Sequence, residues 1–340
     1  MNPPIPGEVL IMGAGSVGCW IGGRLASQGV RVHFVGRPRM IERLREHGLT
    51  VTDLDGHKDH LPPQSLSLHT TLPQGLAPAL VLLTVKSGAT AQAAAELGAS
   101  LPQGAVVLSL QNGVGNAERA QAAAPALTLL SGMVPYNIAE LGPGHLHRGT
   151  AGRLAVQDHA ALAPWLPVFN ASHLAVKAHA DMRSVQWGKL LINLNNPVNA
   201  LSGLPLRAQL LDGRLRRCFA ALIEEALGVL QQAGIEPARV TALAPDRLIR
   251  VLRLPTPIFR LVAAKMLRID DKARSSMADD LKLGRPTEID ALCGAVSAMA
   301  QAQGRDAPMN RAMLALVKQW PEAPRPWTGK DLWAALRHPH

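Results

Sequence analysis

Glu8-Val-Leu-Ile-Met12-Gly13-Ala-Gly15-Ser16-Val17-Gly18 is the stretch on which the fold of this 340-residue chain turns. A strand-length apolar run ends in three glycines, a helical pattern follows over 16–28, and a second β-like run occupies 30–35. In that setting Gly13 permits a tight turn, Gly15 lets the backbone approach a pyrophosphate, and Gly18 lets helix and strand pack closely. The first N–H groups of the helix, at Ser16 and Val17, have no intrahelical acceptors, and the helix dipole adds partial positive charge beside them. A dinucleotide-binding turn is the expectation. The plainer alternative is a structural glycine turn, and the strand before it and the helix and strand after it count against that.

Outward from this unit, strand-like runs at 80–85, 105–110 and 127–130 alternate with Ala-rich helical segments at 89–100 and 116–124. Such alternation implies a mostly parallel sheet covered on both faces. The segment 145–156, bounded by Gly-Pro-Gly, reads as a hairpin-like pair, and 174–176 as one last strand. From about residue 182 the texture becomes helical, with segments at 184–194, 215–233, 237–253, 276–283, 288–303 and 310–319. The expected architecture is α/β: an N-terminal Rossmann-type doubly wound sheet over 1–180, then an all-α domain over 181–325. Residues 326–340 read as a tail, a loop with one short turn.

Composition removes several function classes. With 47% hydrophobic and 18% charged residues the chain is too apolar to be disordered and long enough for about two domains. No apolar run approaches the ~18–20 residues of a membrane span. Cys19, Cys218 and Cys293 are scattered, without metal or disulfide spacing, and no secretion signal opens the sequence, so a reducing cytoplasm is the expected compartment. The net charge of +10 is dispersed, and one Tyr and four Phe offer little for stacking on bases. Small anions are a better target for that charge than nucleic acid. His57, His60 and His69 lie in a loop-like stretch without supporting carboxylates and read as solvent-facing; no metal is expected.

The end of the second β-like run, His33-Phe-Val-Gly36-Arg37, chooses between cofactors. An NAD enzyme usually carries an acid there for the ribose hydroxyls, whereas Arg37 stands where the 2′-phosphate of NADP would lie. NADP is the expectation; Arg37 as a solvated residue at a helix start is the bland alternative.

Five further places in the chain carry chemistry. Leu110-Gln-Asn112-Gly113 follows a strand, and Lys86 ends another at the same rim, where open α/β sheets bind ligands. In Trp187-Gly-Lys189-Leu-Leu-Ile-Asn193-Leu-Asn-Asn196-Pro197, Lys189, Asn193 and Asn196 share one helix face while Asn195 falls off it. In Arg274-Ser-Ser276-Met-Ala-Asp-Asp280, Ser276 with Asp279 three residues on reads as a helix cap. In Gly284-Arg-Pro-Thr-Glu288-Ile-Asp290, Glu288 belongs to the first turn of a new helix, where the dipole favours a carboxylate in any protein.

In order and spacing, from residue 8 to about 315, these motifs resemble the ketopantoate reductase (2-dehydropantoate 2-reductase) family. The resemblance implies NADPH-dependent reduction of 2-dehydropantoate to (R)-pantoate, a step towards pantothenate and coenzyme A. It implies that Lys189 is the general acid, that Asn193 and Asn196 hold the hydroxyl and carboxylate end of the substrate, and that Ser276 binds its carboxylate. Glu288 would bond the substrate or cofactor, or orient Lys189; Asn112 would lie near the nicotinamide and the keto acid, and Lys86 on the cofactor side. The family often has Asn-x-x-x-Asn-Pro, one residue more than stands here between Asn193 and Asn196. Two other readings remain: a reductase of another 2-oxo acid, and a non-catalytic NADP-binding regulator. A small 2-oxo acid is the expected partner, with neither nucleic acid nor membrane, and a homodimer is compatible with the sequence.

Overall fold

The opening apolar run forms β1 (Val9–Met12), a strand buried along its whole length, as a central parallel strand with helices on either face must be. A computed structural model describes residues 3–267 and 273–338. Alternate side chains of β1 enter two different cores. Val9 and Ile11 share one with Trp20, Ile21 and Leu25 of α1 (Ser16–Ser27) and with Ile41 and Leu44 of α2 (Pro38–His47). Leu10 and Met12 share the other with Ala93, Ala94 and Leu97 of α3 (Thr90–Ser100) and Ala120 of α4 (Asn116–Ala123). The sheet is therefore doubly wound.

In chain order the remaining strands are β2 (Val32–Val35), β3 (Leu49–Asp53), β4 (Lys58–Leu61), β5 (Ser67–His69), β6 (Leu80–Leu83), β7 (Val106–Ser109), β8 (Thr128–Met133), β9 (Ile138–Gly142), β10 (His145–Arg148), β11 (Leu154–Gln157) and β12 (Val176–His179). Seven of them join β1 in one sheet of order β12-β11-β8-β7-β6-β1-β2-β5, and the other four form a second sheet in the order β4-β3-β10-β9. The large sheet is parallel except where β11 runs against β8. The chain leaves β1 towards β2 and β5, then returns to β6 and runs the other way through β7 and β8. The strand order thus reverses beside β1, the position at which open α/β sheets bind ligands. The segment α5 (Trp165–Ala171) buries Trp165, Val168 and Phe169 in the α1 core.

Two expectations for this half need correcting. The segment 145–156 is no hairpin: Gly142-Pro-Gly144 joins β9 to β10 as the antiparallel pair, and β11 belongs to the other sheet. The turn chemistry lies ahead of residue 145 and pairs the strand backwards. Nor are all three histidines solvent-facing. Only His60 is exposed; His57 pairs with Asp53 at 3.1 Å, and His69 shares the Ser67 hydroxyl with His33. The strand β3 alternates buried Leu49 and Val51 with Thr, whereas β4 and β5 carry Lys, Asp, His and Ser where an apolar alternation would have shown them. Arg24 of α1, fully buried, ties β3 to β4, its guanidinium donating to Asp53 at 2.7 Å and to Asp59. Burial alone would raise the Asp53 carboxyl, but the His57 N–H and the Arg24 charge hold it below its usual range.

The chain divides into two compact units, Met1–Met182 and Arg183–His340. Across the boundary runs α6 (Met182–Asn193), followed by α7 (Asn195–Ser202), α8 (Leu206–Leu211), α9 (Gly213–Gln232), α10 (Pro245–Leu252), α11 (Thr256–Val262), α12 (Ser276–Lys282), α13 (Cys293–Gln301), α14 (Pro308–Gln319) and α15 (Gly329–Arg337). The Asp212 carboxylate starts α9 by accepting the N–H groups of Arg214 and Leu215, and Cys218, Leu222, Ile223, Ala226 and Leu230 of that helix are buried. The expected helix over 237–253 is only α10, because Pro245 is suited to a first helical turn and marks the true start. The supposed tail is a helix: Thr328 caps α15, which packs on α9 and buries Leu332 and Leu336. Pro321, Pro324 and Pro326 suggest a loop, but they end before the capping residue. Among the described residues no helix is long and apolar enough to cross a membrane.

Candidate active site

The glycine turn is held from one side and open on the other. Gly13 has φ of +109°, and a methyl added there would lie 2.5 Å from the Val85 nitrogen. One added to Gly18 would lie 2.5 Å from Thr84 Oγ1, which itself donates to the Gly13 carbonyl at 2.7 Å. The turn is thereby locked to the end of β6. Gly15 is different: it is exposed, its φ is −95°, and nothing of the protein lies within 4 Å of the methyl it lacks. It precedes Ser16 and Val17 at the start of α1, where no side chain caps the helix. Gly36 closes β2 so near the turn that its missing methyl would sit 2.7 Å from Ala14 Cβ, and Arg37 follows, exposed, at the start of α2.

This asymmetry separates two substitutions. Gly15→Ala should leave the thermal midpoint within about 2 °C, because it meets no protein atom. It should nonetheless weaken dinucleotide binding about tenfold or more, since a methyl in the space of a pyrophosphate costs about 1–3 kcal/mol. Gly18→Ala should lower the midpoint as well, since Thr84 must move. Thermal denaturation and nucleotide titration by fluorescence read both; equal nucleotide affinity in Gly15→Ala and the unmodified chain would count against a dinucleotide at this turn.

Lys86 and Asn112 stand at the same rim, after β6 and β7. Lys86 is exposed and leads into a single 3-10 turn. The carbonyl of half-buried Asn112 accepts from Ser87 Oγ at 3.0 Å and Asn116 Nδ2 at 2.8 Å. Gln111 braces the two strand ends, donating to the Val85 carbonyl at 3.0 Å and to Thr90 Oγ1 at 2.6 Å, while Arg119 donates to Asn116 Oδ1 at 3.1 Å. Thr84, Ser87, Gln111, Asn116 and Arg119 escape sequence reasoning. Their only local signal is the i, i+3 spacing of Asn116 and Arg119. The carboxyl ends of β1, β2, β6 and β7 thus bring Gly13, Gly15, Ser16, Val17, Gly18, Arg37, Lys86 and Asn112 to one edge of the sheet.

In the helical unit Lys189 is half-buried on α6, and burial pushes its ammonium from 10.5 down to about 8. The helix comes so close to the next segment that a methyl on Gly188 would collide with the Ala238 carbonyl. One turn beyond Lys189, Asn193 is 8% exposed and ends α6. Lys189, Asn193 and Asn196 do not share one helix, because the chain breaks at Leu194 and Asn196 lies in the first turn of α7. Pro197 has no N–H for the Asn193 carbonyl, which is where the ladder fails. Asn195 exchanges two amide hydrogen bonds with Gln209, at 3.1 and 3.2 Å, and is spent there.

Ser276 is exposed and is the first residue of α12, not its cap; Ser275 takes that role by accepting the Ala278 N–H at 3.2 Å. Ser275 Oγ also donates to the Asn196 carbonyl at 3.2 Å, so the start of α12 is tied to α7 and Ser276 stands beside Asn196 in the fold. Glu288 is half-buried between α12 and α13, one residue ahead of a single 3-10 turn (Ile289–Ala291), rather than in the first turn of an α-helix. The main-chain N–H of Arg285 goes back to Asp280, which lets the chain turn before Pro286 and delays the helix to Cys293.

The family model described as Ketopantoate reductase PanE/ApbA matches residues 9–161, and its C-terminal counterpart, Ketopantoate reductase PanE/ApbA C terminal, matches residues 181–320. A 2-dehydropantoate 2-reductase of Halobacterium salinarum is 32% identical over 318 residues, covering 92% of this chain and 98% of the relative. A crystal structure of a PanE/ApbA family ketopantoate reductase from Ralstonia eutropha is similar with a TM-score of 0.77 at 28% identity, covering 97% of this chain and all of the other. D-mandelate dehydrogenase with NADH and anilino(oxo)acetate has a TM-score of 0.76 at 20% identity, over 93% of this chain and 98% of that one, a likeness of fold.

Proposed function

Since the chain belongs to the ketopantoate reductase family, and is thereby a nicotinamide-nucleotide-dependent oxidoreductase, we propose that it reduces 2-dehydropantoate to (R)-pantoate with NADPH. The observation that carries the reading is Lys189, a half-buried ammonium one helical turn before the buried amide of Asn193. The rim of the sheet fits the cofactor: the space at Gly15 is free for a pyrophosphate, and Arg37 offers a guanidinium to a 2′-phosphate. When bound, NADPH supplies a hydride to the C2 carbonyl carbon.

What the chain itself contributes is polar and positional. As the carbonyl π bond opens, negative charge collects on oxygen, and the Lys189 ammonium stabilises it and then delivers its proton, leaving a neutral amine to be recharged from water. Asn193 and Asn196 orient the hydroxyl and carboxylate end of the substrate, and Ser276 takes the carboxylate. Glu288 bonds the substrate or holds Lys189 in place, Asn112 fixes the reacting end, and Lys86 adds positive potential on the cofactor side. Cysteine chemistry has no part in this: Cys19 and Cys218 are buried and unpaired, and burial pushes their thiols up to about 12. Three unpaired thiols also suit a reducing cytoplasm.

The test is consumption of NADPH with 2-dehydropantoate, 2-oxoisovalerate and 2-oxopantolactone in parallel, with the chirality of the product determined. The first should have the highest kcat/KM. Preference for another 2-oxo acid would move the chain to a different substrate, and cofactor binding without turnover of any of them would end the enzymatic reading.

A further inference from the structure

Asn199 is fully buried in the middle of α7, on a helix face where a leucine would be the ordinary choice. A buried amide is tolerated when both its groups are bonded, and here both bonds go to main chain that no regular ladder satisfies. Its Nδ2 donates to the Leu204 carbonyl at 2.9 Å, in the connection between α7 and α8. Its Oδ1 accepts the Ser275 N–H at 2.9 Å, 76 residues further along the chain. The same two connections are stitched again beside it: the Leu206 N–H goes to the Ala273 carbonyl at 2.8 Å, and Arg274 Nη1 donates to the Gly203 carbonyl at 2.9 Å. Ser275 in turn reaches the Asn196 carbonyl through its hydroxyl and holds the first turn of α12.

One amide therefore joins two segments that carry the two proposed ligands of the substrate carboxylate. Asn196 is three residues before Asn199 in α7, and Ser276 follows the Ser275 that Asn199 grips. We infer that Asn199 is a positioning residue for the oxo-acid site, fixing the spacing between Asn196 and Ser276 and so setting substrate affinity. This rests on the reductase reading above. Asn199 touches no substrate itself; without its two bonds, α7 and the start of α12 lose their common anchor, and Asn196 and Ser276 no longer present their groups at one fixed distance.

Three variants of the full-length protein test it with NADPH and 2-dehydropantoate. Asn199→Leu keeps the branched shape and removes both bonds; KM for the oxo acid should rise tenfold or more, kcat should fall less than KM rises, and the Kd for NADPH should stay within twofold. A merely structural residue would lower the thermal midpoint and leave KM alone. Asn199→Asp adds a pH signature. A protonated acid can still donate to Leu204 and accept from Ser275, whereas the ionised form turns a negative charge on a carbonyl oxygen. Its KM, relative to that of the unmodified enzyme, should therefore be lowest at acidic pH and climb as pH rises. If Asn199→Leu does not fold, Asn199→Asp decides by that climb in KM at unchanged NADPH affinity, while Ser275→Ala, which keeps the main-chain N–H on Asn199 and loses only the hydroxyl bonds to Asn196 and Ala278, should raise KM several-fold less than Asn199→Leu. Unchanged KM in the folded variants overturns the inference while turnover by the unmodified chain keeps the reductase reading. Absence of turnover in the unmodified chain removes both.

Discussion

Replacing Lys189 with Met should lower kcat for ketone reduction by about 10²–10⁴-fold, the range a positioned general acid supplies. The variant keeps the aliphatic stem and removes only the proton and its charge. Burial has already pushed the ammonium down to about 8, so the acid form predominates at neutral pH and is lost above that value. The rate of the unmodified enzyme should accordingly be flat below about pH 8 and fall towards tenfold per unit above it, and in Lys189→Met this limb should vanish. Stability should move the opposite way. Between about 8 and the ordinary 10.5, the unfolded chain holds a proton that the folded chain has released, so this group makes stability rise with pH in that window. Below it the fold carries a half-buried charge at a cost, and Lys189→Met should melt no lower, and at neutral pH higher, than the unmodified protein. Stopped-flow reduction and calorimetry across pH 6–10 read both halves (the pH limits being about two units either side of the shifted value). A variant that melts normally and reduces its substrate at full rate would remove Lys189 as the acid.

Arg37→Asp should reverse the choice of cofactor. A guanidinium on a phosphate dianion makes charge-assisted bonds that contribute roughly 1.5–3 kcal/mol, or about 10–100-fold, and an aspartate in its place adds repulsion. The kcat/KM with NADPH should fall by about 10²-fold or more, while that with NADH holds or improves, because a carboxylate at this point suits ribose hydroxyls. Since Arg37 is exposed at the start of α2, stability should hardly change. Equal losses with both nucleotides would mean that Arg37 serves the part they share, and no loss at all would make it an ordinary solvated residue.

The parts of the site legible in the sequence are those in which neighbours along the chain are also neighbours in space. The glycine turn is such a case, because one strand end, one turn and one helix start are built from eleven consecutive residues. Legibility fails wherever a side chain is satisfied across the fold. Asp53 lies only four residues before its partner His57, but what keeps that carboxylate buried is Arg24 of α1, and β4 lacks the apolar alternation that marks a strand, its Asp59 pairing with the same guanidinium. Ser275 and Ser276 offer the same capping hydroxyl, and a Ser-Ser pair leaves the choice between them to the direction of the incoming chain.

By itself the sequence determined the layered α/β half, the helical half and the residue types proposed to meet a dinucleotide and an oxo acid. Those follow from local periodicity, from glycines that only certain backbone angles require, and from the kind of polar or charged group each side chain carries. Only the tertiary structure decided that α6 ends at Asn193, that Asn195 is spent on Gln209, that the last prolines lead into a helix on α9, and that Asn199 joins the Leu204 carbonyl to the Ser275 N–H. Each of these rests on groups far apart in the chain or on a choice between neighbours, and packing alone brings the donors and acceptors within hydrogen-bonding distance.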